Sequence, residues 1–302
     1  MKILICYFSG TGNTEKVVRS VRDAFESHDC SVLLHKVEKG LDDLPDDFDM
    51  LGIAYPVHAF NAPEIVVDFA KKLEKSPVQK KLFIFKTSGE PLKLNNISSL
   101  KLVSILKKKN FVLTNEYHYC MPYNMIFRHT DQMAYDMWQL AQQLIPIDVG
   151  EIMSGKSAKL KKVFCGRFIA WVMRIEWWGG RFNGKKYKVT DKCIHCQKCV
   201  RSCPVGNITI KDGKFVFGKK CIMCMRCSFH CPTNAIKIGW FESWKVNGAY
   251  NFNKPENVED NKHDKFCKKS YKKYFERGWA KVNSVEADAS SNPGQIAEAQ
   301  PE

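Results

Sequence analysis

The chain has 302 residues, 44% of them hydrophobic, which suffices for one ordinary core plus a small second module. Its 47 Lys and Arg outnumber 32 Asp and Glu for a formal charge of +15. No run of about 20 apolar residues lacks charge, so no transmembrane span is expected, and the start of the chain lacks the pattern of a secretory leader.

The charge is local. Residues 1–150 carry 18 basic and 18 acidic side chains and residues 240–302 carry 10 of each, so the whole excess lies in residues 151–239. A basic face of that size attracts an acidic partner protein and raises its on-rate. Nucleic acid is not expected, because no recognised nucleic-acid-binding motif accompanies the charge.

In chain order, residues 2–8 read as a strand that stops at Ser9-Gly10-Thr11-Gly12-Asn13-Thr14. A helix follows, with Val17, Val18, Val21 and Phe25 at helical spacing. Glycines and hydroxyls at a helix N-terminus make an anion site. No Lys follows the glycines and the third glycine of a dinucleotide fingerprint is missing, so neither common phosphate loop is present. The hydroxyls of Ser9, Thr11 and Thr14 suit a phosphate monoester. Here the stretch resembles the flavodoxin family, whose signature loop binds the phosphate of FMN. Tyr7, Ser9, Gly12 and Thr14 match that signature, while Cys6 and Val18 depart from it.

Further strands are predicted over residues 31–37, 48–55, 82–86 and 111–119, and helices over 63–75, 97–109 and 131–144. This alternation implies a parallel sheet with helices on both faces, and the resemblance implies the order 2-1-3-4-5. Ligands of such sheets sit beyond the carboxyl ends of the strands. Two loops fall at that edge: Tyr55, Pro56, Val57, His58, Ala59, Phe60 and Asn61, then Thr87, Ser88, Gly89 and Glu90. The resemblance implies that they flank a flavin ring. From the residues alone, Tyr55 also reads as a core aromatic, His58 as a solvated loop residue and Glu90 as a helix start pointing to water.

Residues 150–190 are punctuated by glycines, and Leu160, Val163, Phe164, Phe168, Trp171, Val172 and Ile175 fall on one helical face flanked by Lys159, Lys161, Lys162, Arg167 and Arg174. Such a helix is expected to dock one module on the other, with peripheral membrane contact as the alternative.

The remaining signal is in cysteine. Cys193, Cys196, Cys199 and Cys203 are spaced C-x2-C-x2-C-x3-C before Pro204, and Cys221, Cys224, Cys227 and Cys231 repeat the spacing before Pro232, 28 residues later. Ile194, Ile208 and Ile210 fall in register with Ile222, Ile236 and Ile238, so one small unit is duplicated. Three thiols two residues apart wrap one 4Fe-4S cube while the fourth reaches the other. One cluster is thus expected on Cys193, Cys196, Cys199 and Cys231, and a second on Cys221, Cys224, Cys227 and Cys203. Zinc ribbons use pairs rather than triplets, and a disulfide framework would suit a small secreted chain. Residues 191–239 resemble the bacterial two-cluster ferredoxins, which implies one-electron transfer at low potential. Cys6, Cys30, Cys120, Cys165 and Cys267 are left over, an odd set expected of a reducing cytoplasm.

The expected organisation is an α/β flavodoxin-like FMN domain over residues 1–148, a basic linker and docking helix over 149–190, an α+β dicluster ferredoxin domain over 191–239, and a C-terminal extension over 240–302. That extension carries aromatics that pack on the cluster module, a helix over residues 265–277, and a disordered tail from about residue 285. FMN beside two 4Fe-4S clusters suggests an electron carrier of an anaerobe's cytoplasm, converting two-electron to one-electron chemistry. A flavin-dependent reductase of a small organic substrate and a redox-sensing scaffold that docks on acidic partners are the alternatives. No residue is expected to act as nucleophile or general base.

Overall fold

From Ile3 to Phe8 the backbone carries apolar side chains with almost no exposed surface, as a strand covered on both faces must. The computed structural model describes residues 1–41, 44–45, 47–256 and 268–291. Its first half runs β1 (Lys2–Tyr7), α1 (Asn13–Glu26), β2 (Ser31–Lys36), β3 (Met50–Pro56), α2 (Glu64–Lys72), β4 (Lys80–Ser88), α3 (Leu100–Lys107), β5 (Phe111–Cys120) and α4 (Asp131–Met153). The five strands form one parallel sheet in the order β2-β1-β3-β4-β5.

The period-2 alternation of β1 divides the core in two. Ile3, Ile5 and Tyr7 pack with Phe83 and Phe85 under α1 and α4, while Leu4, Cys6 and Phe8 pack with Leu51, Ile53 and Leu82 under α2 and α3. Helix α4 runs past the expected end at Leu144 and through Pro146. Burial of Ile145, Val149 and Ile152 outweighs the hydrogen bond that the proline ring removes.

Lys86, on β4, has no exposed surface; its Nζ lies 2.8 Å from Glu116 and donates to Asn95 O at 3.0 Å and Ser98 Oγ at 3.1 Å. Burial pulls the Lys86 pKa down while Glu116 opposes the shift. Lys86→Met strands the Glu116 carboxylate and is expected to remove about 3–5 kcal/mol in urea unfolding. The double variant Lys86→Met/Glu116→Leu should recover most of that loss. An equal loss in both would mean that the ion pair is not what the substitution breaks.

After α4 come α5 (Gly166–Met173) and α6 (Ile175–Gly184), not one helix from Leu160. The expected docking of the large apolar stripe is corrected here: Phe164, Phe168, Trp171, Val172 and Ile175 are exposed. The helices dock instead through small residues, Gly166, Ala170, Gly180 and Gly184, which allow close approach.

The cysteine-rich region follows as β6 (Lys188–Val189), α7 (Lys198–Arg201), β7 (Ile208–Lys211), β8 (Lys214–Phe217), α8 (Arg226–Phe229) and β9 (Ile236–Lys237). The duplication is visible in the backbone. His195, Gln197 and Gly206 have positive φ, and so do Met223, Met225 and Asn234, each 28 residues later. Strand β6 pairs with β9 and β7 with β8, so the strand before each cysteine run pairs with the strand after the other, and the halves interlock.

Helix α9 (Lys268–Ser291) closes the described chain, and the rest of the expected tail, from residue 292, lies outside the described residues, as does the expected helix start at 265–267. The helix continues beyond residue 277, because Tyr271 and Val282 are buried against the first domain. Lys281 Nζ reaches Asp148 Oδ1 at 2.6 Å, and the Tyr271 hydroxyl donates to Gly89 O at 2.6 Å. Among the described residues no helix is long and apolar enough to cross a membrane.

Candidate functional site

The loop after β1 enters α1 through Gly12, whose φ of 106° is left-handed, and no side chain caps the helix. Gly12 N donates to Ser9 Oγ at 3.1 Å, and the Thr14 and Thr87 hydroxyls lie 2.8 Å apart. The loop after β3 folds back at a two-residue turn: His58 and Asn61 exchange backbone hydrogen bonds of 2.9 and 2.8 Å around Ala59 and Phe60, both at positive φ. Non-glycine residues held in that region store strain of about 1–3 kcal/mol each, a property of ligand clamps.

These loops line a cavity of about 600 Å³, within the range of cofactor sites. Its wall takes Ser9, Gly10, Thr11, Asn13, Thr14, Pro56, Val57, His58, Ala59, Phe60, Thr87, Ser88, Gly89 and Glu90. Tyr55 and Asn61 stand behind the wall, and Gly12 is exposed outside it. The Tyr55 ring is buried in the core with its hydroxyl 3.2 Å from Ser98 Oγ, and Asn61 Nδ2 donates to Ala170 O at 3.0 Å, tying the turn to α5.

The rest of the wall was not legible in the sequence. It comes from Leu92 and Asn95 after β4, from Met121 to Ile126 after β5, from Ile175, Glu176 and Gly179 of α6, from Met223 between two cysteines, and from Phe241 and Trp244, whose rings stack at 5.0 Å. The crevice is therefore shared between the sheet, the linker, the cysteine-rich region and the C-terminal extension. The fit to FMN rests on this cradle: hydroxyls and an uncapped helix start at one end, aromatic and aliphatic walls beyond.

Burial pushes His58 down to about 4, so its ring is neutral at pH 7. Burial, helped by the charge of Glu64, pushes Glu176 up to about 7. Between the ordinary glutamate value of 4.5 and that value, the folded protein holds a proton that the unfolded chain has released. Stability contributed by the protonated carboxyl is thus complete below the lower value and lost as pH rises through the window, by about 3 kcal/mol in all. Glu176→Gln is expected to raise the thermal midpoint over the parent at about pH 8 and to leave it unchanged near the lower pKa. A gain independent of pH would separate the effect from titration.

The eight repeated cysteines border two further cavities. One is lined by Cys193, Cys196, Cys199, Cys227 and Cys231, the other by Cys203, Cys221, Cys224 and Cys227. Backbone amides point at sulfur in both halves: His195 N donates to Cys193 Sγ at 3.4 Å, Asn207 N to Cys203 Sγ at 3.2 Å and Ala235 N to Cys231 Sγ at 3.2 Å. Burial pushes the Cys221 thiol up to about 11 and Cys224 to about 12, and a thiolate on Cys203 adds to both. Buried thiols of this kind ionise when a metal supplies the opposing charge.

Among the described residues no group of three or more His, Cys, Asp or Glu closes on one point as a single metal ion requires. A lone tetrahedral ion holds its sulfurs about 2.3 Å from its centre. A cube has iron at its own corners, so its thiolates stand further apart around a cavity, and the donor set fits that demand.

Arg226 joins the parts. Its Nε donates to Gly10 O at 3.2 Å, Nη2 to Ser9 O at 2.7 Å and Nη1 to Ser202 O at 3.0 Å, while Glu38 accepts both terminal nitrogens at 3.0 and 2.7 Å. The same guanidinium borders both thiol cavities. Gly10 packs so closely on this module that a Cβ would lie 2.3 Å from Cys224 O.

Residues 192–236 match the family model of the 4Fe-4S dicluster domain. The chain thus has a C-terminal iron-sulfur dicluster-type region and an N-terminal fold similar to flavodoxins, an architecture consistent with a broad redox or electron-transfer role. Solved structures similar to the N-terminal half include a short-chain flavodoxin associated with a bacterial microcompartment (14% identity, 52% of this chain and 99% of that one, TM-score 0.37). A Fusobacterium nucleatum flavodoxin bound to flavin mononucleotide is 16% identical over 51% of this chain and 97% of that one, with a TM-score of 0.36. Rubredoxin oxygen:oxidoreductase from the anaerobe Desulfovibrio gigas is 16% identical over 51% and 36%, with a TM-score of 0.34. At such scores the fold assignment rests on strand order and not on these likenesses. Comparison with curated proteins returns no match.

Proposed function

We propose that the chain is an electron carrier with FMN in the crevice and two 4Fe-4S clusters in the thiol cavities, serving an acidic redox partner in a reducing cytoplasm. Bound FMN would supply two-electron or one-electron chemistry and each cube one-electron steps. In this reading residues 1–148 form the flavin domain, 149–190 the linker, 191–239 the cluster domain and 240–302 a C-terminal extension whose Phe241 and Trp244 buttress the crevice.

The observation that carries the reading is contact between the sites. Met223 lines the crevice from its place between Cys221 and Cys224, and Gly10 of the phosphate loop lies against the Cys224 carbonyl. Ser9, Thr11, Asn13 and Thr14 would hold the phosphate, and the loops from Pro56 to Phe60 and Thr87 to Glu90 would flank the ring. Cys221, Cys224, Cys227 and Cys203 would hold the cluster beside the crevice. Cys193, Cys196, Cys199 and Cys231 would hold the other, nearer the surface, since Cys196 and Ile194 are exposed. Exposed Lys192, Lys198, Arg201, Lys211 and Lys214 lie in that region and would steer the acidic partner. The residues' own work is to shape cavities, aim amides at sulfur and keep water from the crevice. No side chain is assigned proton transfer or nucleophilic attack.

Anaerobic purification followed by iron, sulfide and flavin analysis tests this. About eight iron and eight sulfide per chain, with one FMN released on denaturation, is the expected result. About two iron or fewer and no flavin would end the reading.

A further inference from the structure

Helices α5 and α6 turn their bulk outward. Gly166, Ala170, Gly180, Asn183 and Gly184 face the protein, and a Cβ on Gly184 would lie 2.2 Å from Cys221 Cβ. On the other side Phe168, Trp171, Trp178 and Phe182 are 59% to 64% exposed, Ile175 at the rim of the crevice is 71% exposed, and Phe164 before them is 92% exposed. Spacings of three and four residues within each helix set Phe168 beside Trp171 and line up Ile175, Trp178 and Phe182. Single exposed apolar residues are ordinary; six large ones within residues 164–182 mark an interaction surface.

The charge around the stripe is of one sign. Glu176 is the only acid in residues 152–190, and it lines the crevice rather than the outer face. Lys159, Lys161, Lys162, Arg167 and Lys185 are exposed, and no ion pair is formed by any of them among the described residues. Past the end of α6, Trp240 is 65% exposed, with Lys186 Nζ 4.7 Å from its ring centroid.

We propose that this face rests on an anionic lipid bilayer, with α5 and α6 in the plane of the interface, the aromatic stripe at the headgroup boundary and the flanking cations on lipid phosphates. Two observations favour lipid over a folded partner. The surface presents large aromatics at 59% to 92% exposure, which a fluid interface accommodates without a matching groove. The pairing of Trp and Phe with uncompensated Lys and Arg is complementary to anionic headgroups over an apolar interior. The proposal stands on the exposed face alone, so it survives or fails independently of the redox reading.

The test is flotation of the full chain, purified anaerobically, with vesicles of phosphatidylcholine or of phosphatidylcholine containing about one-third phosphatidylglycerol. The parent should float only with the anionic vesicles, be released by salt, and show a blue shift of tryptophan emission. Trp171→Ser/Trp178→Ser should lower the partition coefficient at least tenfold. Lys159→Gln/Lys161→Gln/Lys162→Gln should lower it about a hundredfold, at about fivefold per charge. These side chains are exposed, and unchanged circular dichroism and thermal midpoint would show that the variants fold. Absence of binding to anionic vesicles would overturn the proposal, as would binding that neither variant weakens. So would a lipid-free self-association, or capture of an acidic protein, that the tryptophan variant abolishes while lipid binding persists.

Discussion

Cys203→Ser should strip iron from the site of Cys221, Cys224 and Cys227 and spare the triplet that precedes it in sequence. The reason is spatial: Cys203 lines the cavity of the second triplet, and a thiolate there raises the pKa of all three of its cysteines. Cys231 lines the cavity of the first triplet instead. Iron should fall from about eight to about four per chain, and electron paramagnetic spectra of the residual cluster should match those of Cys221→Ser. Cys231→Ser should match Cys193→Ser in the same way. If Cys203→Ser matched Cys193→Ser, each run would be holding its own cluster, and the crossed assignment would be wrong.

Arg226→Leu is the second large effect. The substitution leaves Glu38 without its bidentate partner and removes donors from the carbonyls of Ser9, Gly10 and Ser202. Loss of one partner of a part-buried, hydrogen-bonded ion pair costs about 3–5 kcal/mol. Because the guanidinium ties the loop from Ser9 to Thr14 to the cysteine-rich region, the loss should, on the proposed function, appear as weakened flavin retention and slower flavin-to-cluster electron exchange after flash reduction. Arg226→Lys should rescue little, since an ammonium lacks the fork that spans Glu38 and two loop carbonyls. Full function in Arg226→Leu would show that the modules are held together by other contacts.

How much of this could be read from sequence follows from burial and range. The central strands β1, β3 and β4 were legible because both faces are covered, so each carries a short apolar run bounded by turns. The loop from Ser9 to Thr14 was legible because its chemistry is local. Tyr55 was ambiguous because an aromatic at the end of a buried strand can face core or crevice, and the structure turns it to the core. The stripe read over residues 160–175 misled because an apolar stripe usually faces inward, whereas here small residues make the close contact and Phe164, Phe168, Trp171, Val172 and Ile175 are left outside. The walls from Met121 to Ile126, Glu176, Phe241 and Trp244 are joined to the loops only through tertiary contact. The one available signal was the cluster of aromatics after Gly239, which pointed to packing but not to the crevice. Helix α9 was underestimated because its polar composition conceals a narrow buried seam at Tyr271 and Val282.

The contact between crevice and thiol cavities is tested most directly by a crystal structure of the anaerobic, loaded protein with anomalous data at the iron edge. Two four-iron cubes are expected, the one on Cys203, Cys221, Cys224 and Cys227 lying behind Met223, and FMN with its phosphate at residues 9–14. Iron sites bound in any other grouping, cysteines joined as disulfides, or a flavin outside the crevice would contradict this arrangement.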